Sequence, residues 1–180
     1  MATLATTNIK HASSSSNNIV LNSNGTTQIP GHVIQVVTGT TNTPVSEGNG
    51  TYTDTNLSAT ITLTSSSNKV LVLVDQSMRL ATPTALGGGV RLLRNSDVIL
   101  DARPSDSIGP AQYYIGNMSN NVDFYFRHNS HKLDTPGAGT HVYKTQLRVY
   151  NGSNNSLIYA QPGLASTDGE SNITLLEIAV

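Results

Sequence analysis

The residues best able to do chemistry in this chain are five histidines and a scatter of carboxylates. His128 and His131 are separated by Asn129 and Ser130, while His32 and His141 stand elsewhere. A His-x-x-His pair holds zinc only with a third ligand and with partners for the outer ring nitrogens. Nothing in the sequence supplies either, so the spacing predicts exposed loop histidines. One variant stays open: in a symmetric trimer a single axial His or Asp is tripled and could hold an ion. Ser, His and Asp could build a hydrolytic triad, but no Gly-x-Ser-x-Gly elbow occurs, and Ser is too abundant for co-occurrence to inform. Asp97, Asp101, Asp106, Asp123 and Asp134 sit amid loops and hairpins, with no spacing that sets two carboxylates across a cleft. Gly87-Gly88-Gly89 is followed by neither a helix nor a Lys-Ser/Thr pair, as a phosphate loop requires. Without cysteine there is no thiol nucleophile, zinc-thiolate site or disulfide. The expectation is a protein with no catalytic residue, no cofactor and no metal, and therefore not an enzyme.

Two other groups of side chains stand out. Arg91, Arg94, Asp97 and Asp101 flank one hairpin signal, Asn95-Ser96-Asp97. A three-residue loop sets Arg91 opposite Asp101, and a two-residue loop sets Arg94 opposite Asp97. Either is a cross-strand pair worth about 0.2–1 kcal/mol. Tyr113, Tyr114, Tyr125, Tyr143 and Tyr150 are large residues in a chain that has few. Tyrosine suits places where one end is dry and the other wet, so core, subunit contact and exposed recognition are all open to them.

Strands must position these groups. Leu57 to Thr64 alternates without error: Leu57, Ala59, Ile61 and Leu63 share one face, and Ser58, Thr60, Thr62 and Thr64 the other. His32 to Thr38, Val90 to Arg94, Val98 to Asp101, Ala111 to Ile115, Val122 to His128, His141 to Tyr150, Ser156 to Ala160 and Ser171 to Val180 also read as strands. Gly39 to Asn56 reads as a long polar connection, with Thr51 to Thr53 pairing at an edge. Lys69 to Leu80 begins with five consecutive apolar residues and reads as a strand covered on both faces. About eight to ten short strands in roughly 150 residues predict an all-β fold, an antiparallel β-sandwich of the jelly-roll kind, over residues 32–180. The apolar closing strand is expected to be central and to pair near the first.

Residues 1–31 differ. Only Ile9, Ile19, Val20, Leu21 and Ile29 could pack there, between runs of Ser, Asn and Thr. That is too little for a core. The segment reads either as a flexible leader or as an extended assembly arm that orders only against a neighbouring subunit, with Ile19 to Leu21 then a short strand donated to a partner before the turn signal Asn24-Gly25. Pro30-Gly31 marks the boundary.

Composition sharpens the class. The chain has 22 Thr, 20 Ser and 18 Asn among 180 residues, and only 12% of residues are charged. Ten basic and eleven acidic residues give a net charge of −1, which argues against a phosphate-neutralising, nucleic-acid-binding surface. No apolar run approaches the roughly 18–20 residues of a membrane span, and residues 1–10 lack the apolar core of a secretory signal.

Residues 8–26, the string Pro30 to Val37, the strand Lys69 to Val74, the Gly-Val-Arg-Leu-Leu-Arg hairpin arm at 89–94 and the closing Leu175-Leu176-Glu177-Ile178 resemble small virion structural proteins of tailed bacteriophages. The resemblance implies a head-decoration or fibre protein whose jelly roll is similar to trimeric C1q/TNF-like heads, with the leader as an assembly arm. It carries over no active-site residue. The implied partners are other copies of the chain in a homotrimer, the major capsid protein or another virion protein, and a host surface glycan. The implied location is the virion, on the capsid exterior as a cement or head-fibre protein, with a tail-fibre tip or adhesin as the alternative. Nucleic acid and membrane insertion are not expected. Val70, Val72, Val74, Tyr113, Tyr143 and Tyr150 are the candidate subunit-interface residues, and Ile9, Ile19, Val20, Leu21 and Ile29 the candidate contacts of the arm.

Overall fold

The error-free alternation from Leu57 to Leu63 produces a strand with one dry face. In the computed structural model, Leu57, Ala59, Ile61 and Leu63 are buried while Ser58, Thr60 and Thr62 face solvent. The structure describes residues 6–15, 17–21, 23, 27–82, 86–101, 113–115, 122–150, 157–163 and 169–180. Every regular element among them is a β-strand.

Three short strands come first: β1 (Asn8–Ile9), β2 (Ile19–Leu21) and β3 (Thr27–Gln28). They form a small antiparallel sheet of their own, in which Val20 sits opposite both Asn8 and Gln28. Ile19 to Leu21, on the arm reading a strand given to a partner, is thus paired within its own chain. The turn signal Asn24-Gly25 lies outside the described residues. The leader is tied to the sandwich by backbone bonds, Gly31 N to Ala179 O (2.8 Å) and Ala179 N to His32 O (2.9 Å).

The sandwich consists of β4 (Val33–Thr41), β5 (Val45–Glu47), β6 (Thr53–Leu63), β7 (Lys69–Thr82), β8 (Leu86–Arg94), β9 (Asp97–Leu100), β10 (Tyr113–Ile115), β11 (Val122–Asp134), β12 (Gly139–Tyr150), β13 (Leu157–Ala160) and β14 (Ser171–Ile178). One sheet runs β4-β14-β7, with β11 on the far edge of β7 and β13-β5 continuing beside its second half. The other runs β6-β12-β8, with β9 and β10 on the far edge of β8. All pairings are antiparallel, and the strands β4, β6, β7 and β8 alternate between the sheets, the winding of a jelly roll. The closing strand β14 lies between β4 and β7, so the first and last strands of the sandwich pair as the sequence predicts. The connection read over Gly39 to Asn56 is shorter than expected: β4 runs on to Thr41, β5 interrupts the stretch, and β6 starts at Thr53.

The core has two apolar clusters. One joins Leu57, Ile61, Val70, Val72, Val74, Tyr143, Ile173 and Leu175, and the other joins Met78, Leu80, Val90, Leu147, Val149 and Ile158. Full burial of each such side chain is worth about 1.5–3 kcal/mol. Buried polar residues lie in the same interior. Thr55 and Thr145 share a hydroxyl bond (2.5 Å), and Thr145 donates to Gln76 Oε1 (3.1 Å). Gln161 makes most bonds with its oxygen toward Gln76 Nε2 (2.9 Å) and its nitrogen toward Thr55 O (3.0 Å). Thr55 reaches this group through a β-bulge in β6, where Asn56 takes a left-handed φ of 63°. Where β4 crosses β6, a side chain at Gly39 would strike the backbone carbonyl of Ser58, so no larger residue fits.

Candidate subunit interface

A strand turns every second residue to each face. On the outer face of the β4-β14-β7-β11 sheet, register aligns Val36, Leu176, Leu71 and Leu133 in one cross-strand row. The next row is Thr38, Thr174, Leu73 and His131, and the third is Thr40, Asn172, Asp75 and Asn129. Four strands at about 4.8 Å spacing make the aliphatic row roughly 14 Å wide. Val36 is 57% exposed, Leu133 51% and Leu73 41%. Beyond the third row, Arg127 closes on Asp75 at 2.7 Å. An apolar patch with a polar border is the usual form of a protein-contact surface. Beside Leu73, the side chains of Asp75, Asn129, His131 and Asn172 line a shallow depression of about 270 Å³.

The valines named for this role lie elsewhere. Val70, Val72 and Val74 point into the sandwich and are fully buried within one chain. The strand is covered on its inner face by the second sheet, and its outward residues are Leu71 and Leu73. A run of five apolar residues does not by itself say which parity faces inward; packing against β6 and β12 decides it.

The tyrosines also sit mostly inside. Tyr143 is fully buried and donates to Asp134 Oδ2 (2.8 Å), whose two oxygens also accept from Arg94 Nη1 (2.9 and 3.1 Å). Burial and that carboxylate push the Tyr143 hydroxyl far above its ordinary value. Tyr150 is buried, with its hydroxyl 2.9 Å from that of Tyr52. Tyr113 is half-buried, with its ring against Phe126 and its hydroxyl 2.6 Å from His128 Nδ1. Tyr125 is exposed, and the side chain of Tyr114 lies outside the described residues.

His128 and His131 cannot share a ligand, because an odd spacing on a strand sends them to opposite faces. His131 is exposed, but His128 is only 2% exposed and shares a strand face with Phe126, which packs against the core, and with Phe124, which is exposed. The His128 Nε2 lies 3.1 Å from Ser130 Oγ. Burial pushes its pKa down to about 4. His141 is buried as well. The expectation of exposed histidines therefore fails for both: each stands at the end of a stretch read as strand, and β11 and β12 extend beyond them, to Asp134 and from Gly139. Gly87-Gly88-Gly89 lies within β8. The hairpin takes the two-residue form, with Asn95 at a φ of 54° and Arg94 opposite Asp97. Arg94 lies closer to Asp134 (2.9 Å) than to Asp97 (3.4 Å). Among the described residues no group of three His, Asp or Glu could hold a metal ion. In the leader, Ile9, Leu21 and Ile29 are exposed, Ile19 is half-buried, and the side chain of Val20 lies outside the described residues.

Fold and surface together define an antiparallel β-sandwich with one outward sheet face partly apolar. Comparison with protein-family models and with curated proteins found no match.

Proposed function

We propose that the chain is a non-enzymatic structural subunit of a tailed-phage virion, a homotrimer that decorates the capsid exterior. The jelly roll stands outward, and the leader contacts the shell. The observation that supports this reading is the apolar row Val36, Leu176, Leu71 and Leu133 with Leu73 beside it. In a trimer of C1q/TNF-like form, that face packs toward the neighbouring copies. The leader adds a second support. It leaves the sandwich where β4 starts and β14 ends, and it carries Ile9, Leu21 and Ile29 exposed on a small sheet with little to bury them. Outward faces clothed in Ser and Thr, such as Thr60, Thr62 and Thr140, suit a particle surface. Quantifying copies per purified particle tests the reading. Hundreds of copies fit capsid decoration; a handful sinks it and moves the protein to the tail. Deleting residues 1–30 is expected to leave a folded trimer that no longer joins the particle.

A further inference from the structure

We infer that the outer face of the β6-β12-β8 sheet carries a binding site for an oxyanion, a carboxylate or a phosphate group, with Arg91 as its principal ligand. Arg91 on β8 and Gln146 on β12 are register partners. Arg91 Nε and Nη2 both donate to Gln146 Oε1, at 2.8 and 2.6 Å. Gln146 Nε2 donates to Asp54 Oδ1 (2.6 Å), and Lys144 Nζ lies 2.8 Å from Asp54 Oδ2. Lys144 thus bonds the nearby carboxylate, which Arg91 also stabilises through space, while the Arg91 side chain itself is held by a neutral amide oxygen. Arg79, Arg94 and Arg127 each close on an aspartate, at 2.7, 2.9 and 2.7 Å. Arg91 differs from these three: among the described residues it closes on no carboxylate, and its Nη1 meets no acceptor.

The flat side of Arg91 is fixed too. Its guanidinium carbon lies 3.5 Å from the centre of the Tyr52 ring. That of Arg148 lies 5.4 Å from the same ring and 5.1 Å from the Tyr150 ring. The Tyr52 hydroxyl donates to Asp101 Oδ1 (3.2 Å) and lies 2.9 Å from that of Tyr150, which holds the ring in place. Burial, with these partners, raises the Tyr52 hydroxyl well above its ordinary value, so the ring stays neutral beneath the cations.

Arg148, on the same ring, has partners of its own, so the open donors are those of Arg91. Because Gln146 and Tyr52 already fix the orientation of Arg91, binding loses little side-chain freedom, and the planar fork of remaining N–H groups matches carboxylate or phosphate oxygens. The site lies on the opposite outer face from the apolar row, so it stands or falls independently of the trimer.

The test uses the whole chain with inorganic phosphate and with glucuronate, against sodium chloride at equal ionic strength. The Arg91 Nε and Gln146 side-chain amide resonances are followed by nitrogen–proton NMR, the amide serving as the reporter in the Arg91→Gln variant. The expected result is a saturable shift with at least one probe and none with chloride, and an affinity at least tenfold weaker in Arg91→Gln but unchanged in Arg127→Gln. Saturation by phosphate alone identifies a phosphate ligand, and by glucuronate alone a sugar acid. No saturable shift beyond chloride, or equal affinity in Arg91→Gln, overturns the inference. Should Arg91→Gln fail to fold, the resonance in the unaltered chain still decides.

Discussion

Lowering the pH from 6.5 to 4 should weaken the fold through one side chain, His128. The unfolded chain protonates this histidine near 6.5, whereas burial holds it neutral in the fold down to about 4. Between those values the unfolded state binds more protons, so stability falls as pH falls, and below about 4 this contribution levels off. A shift of that size corresponds to about 3 kcal/mol. For a chain of 180 residues this lowers the melting temperature by roughly 6–12 °C. The neighbours of His128 are the Tyr113 hydroxyl, the Ser130 hydroxyl and, across the ladder, Gln76; none is a carboxylate that could hold the imidazolium. Glu177 acts at the acid end of this window and below it. Burial raises its pKa, but bonds from Gln35, Asn68 and Thr64 outweigh that and lower it, so its contribution is present above its unfolded pKa of 4.5 and lost as pH falls further. The assay is thermal melting from pH 7 to 4 at fixed protein concentration, on the natural chain and on His128→Gln. The natural chain should lose stability between 6.5 and 4, and the variant should lose much less. Equal slopes for the two would refute a neutral, buried His128.

Two further predictions concern the interior. Gly39→Ala drives a methyl group into the Ser58 carbonyl and should destabilise the chain by about 1–3 kcal/mol, read by denaturant unfolding; an unchanged midpoint would mean that β4 does not cross β6 so closely. Tyr143→Phe removes the hydroxyl that serves Asp134 and should cost about 1–2 kcal/mol, while the Arg94 pair remains. A loss several-fold larger would show that the three groups act as one unit.

Much of the sandwich is legible in the residues, because alternation is strict where one face is dry. Leu57 to Leu63 and the closing strand are examples, and the apolar character of the latter places it between β4 and β7. The misses have physical causes. Val45 to Glu47 forms only three residues of strand, too few for a period to emerge. His128, expected in solvent, ends the stretch Val122 to His128 on the same face as Phe124 and Phe126; strand parity, carried two residues past Phe126, would have placed it inside. In Val70 to Val74 both parities are aliphatic, so inward and outward faces are indistinguishable until the second sheet is placed. The Arg91–Gln146–Tyr52 group could not be read at all. Its members lie on β8, on β12 and in the segment before β6, and only the register of the sheet brings them together.

Self-association through the outer face of the β4-β14-β7-β11 sheet is tested most directly by light scattering with size exclusion, on the natural chain and on Val36→Lys with Leu73→Lys. Both residues are exposed, so the double variant should melt as a folded protein. The natural chain should elute at three times its 19.0 kDa mass, and the variant at a single chain's mass. A natural chain that runs as a monomer, or a variant that remains a trimer, would contradict the assignment of this face.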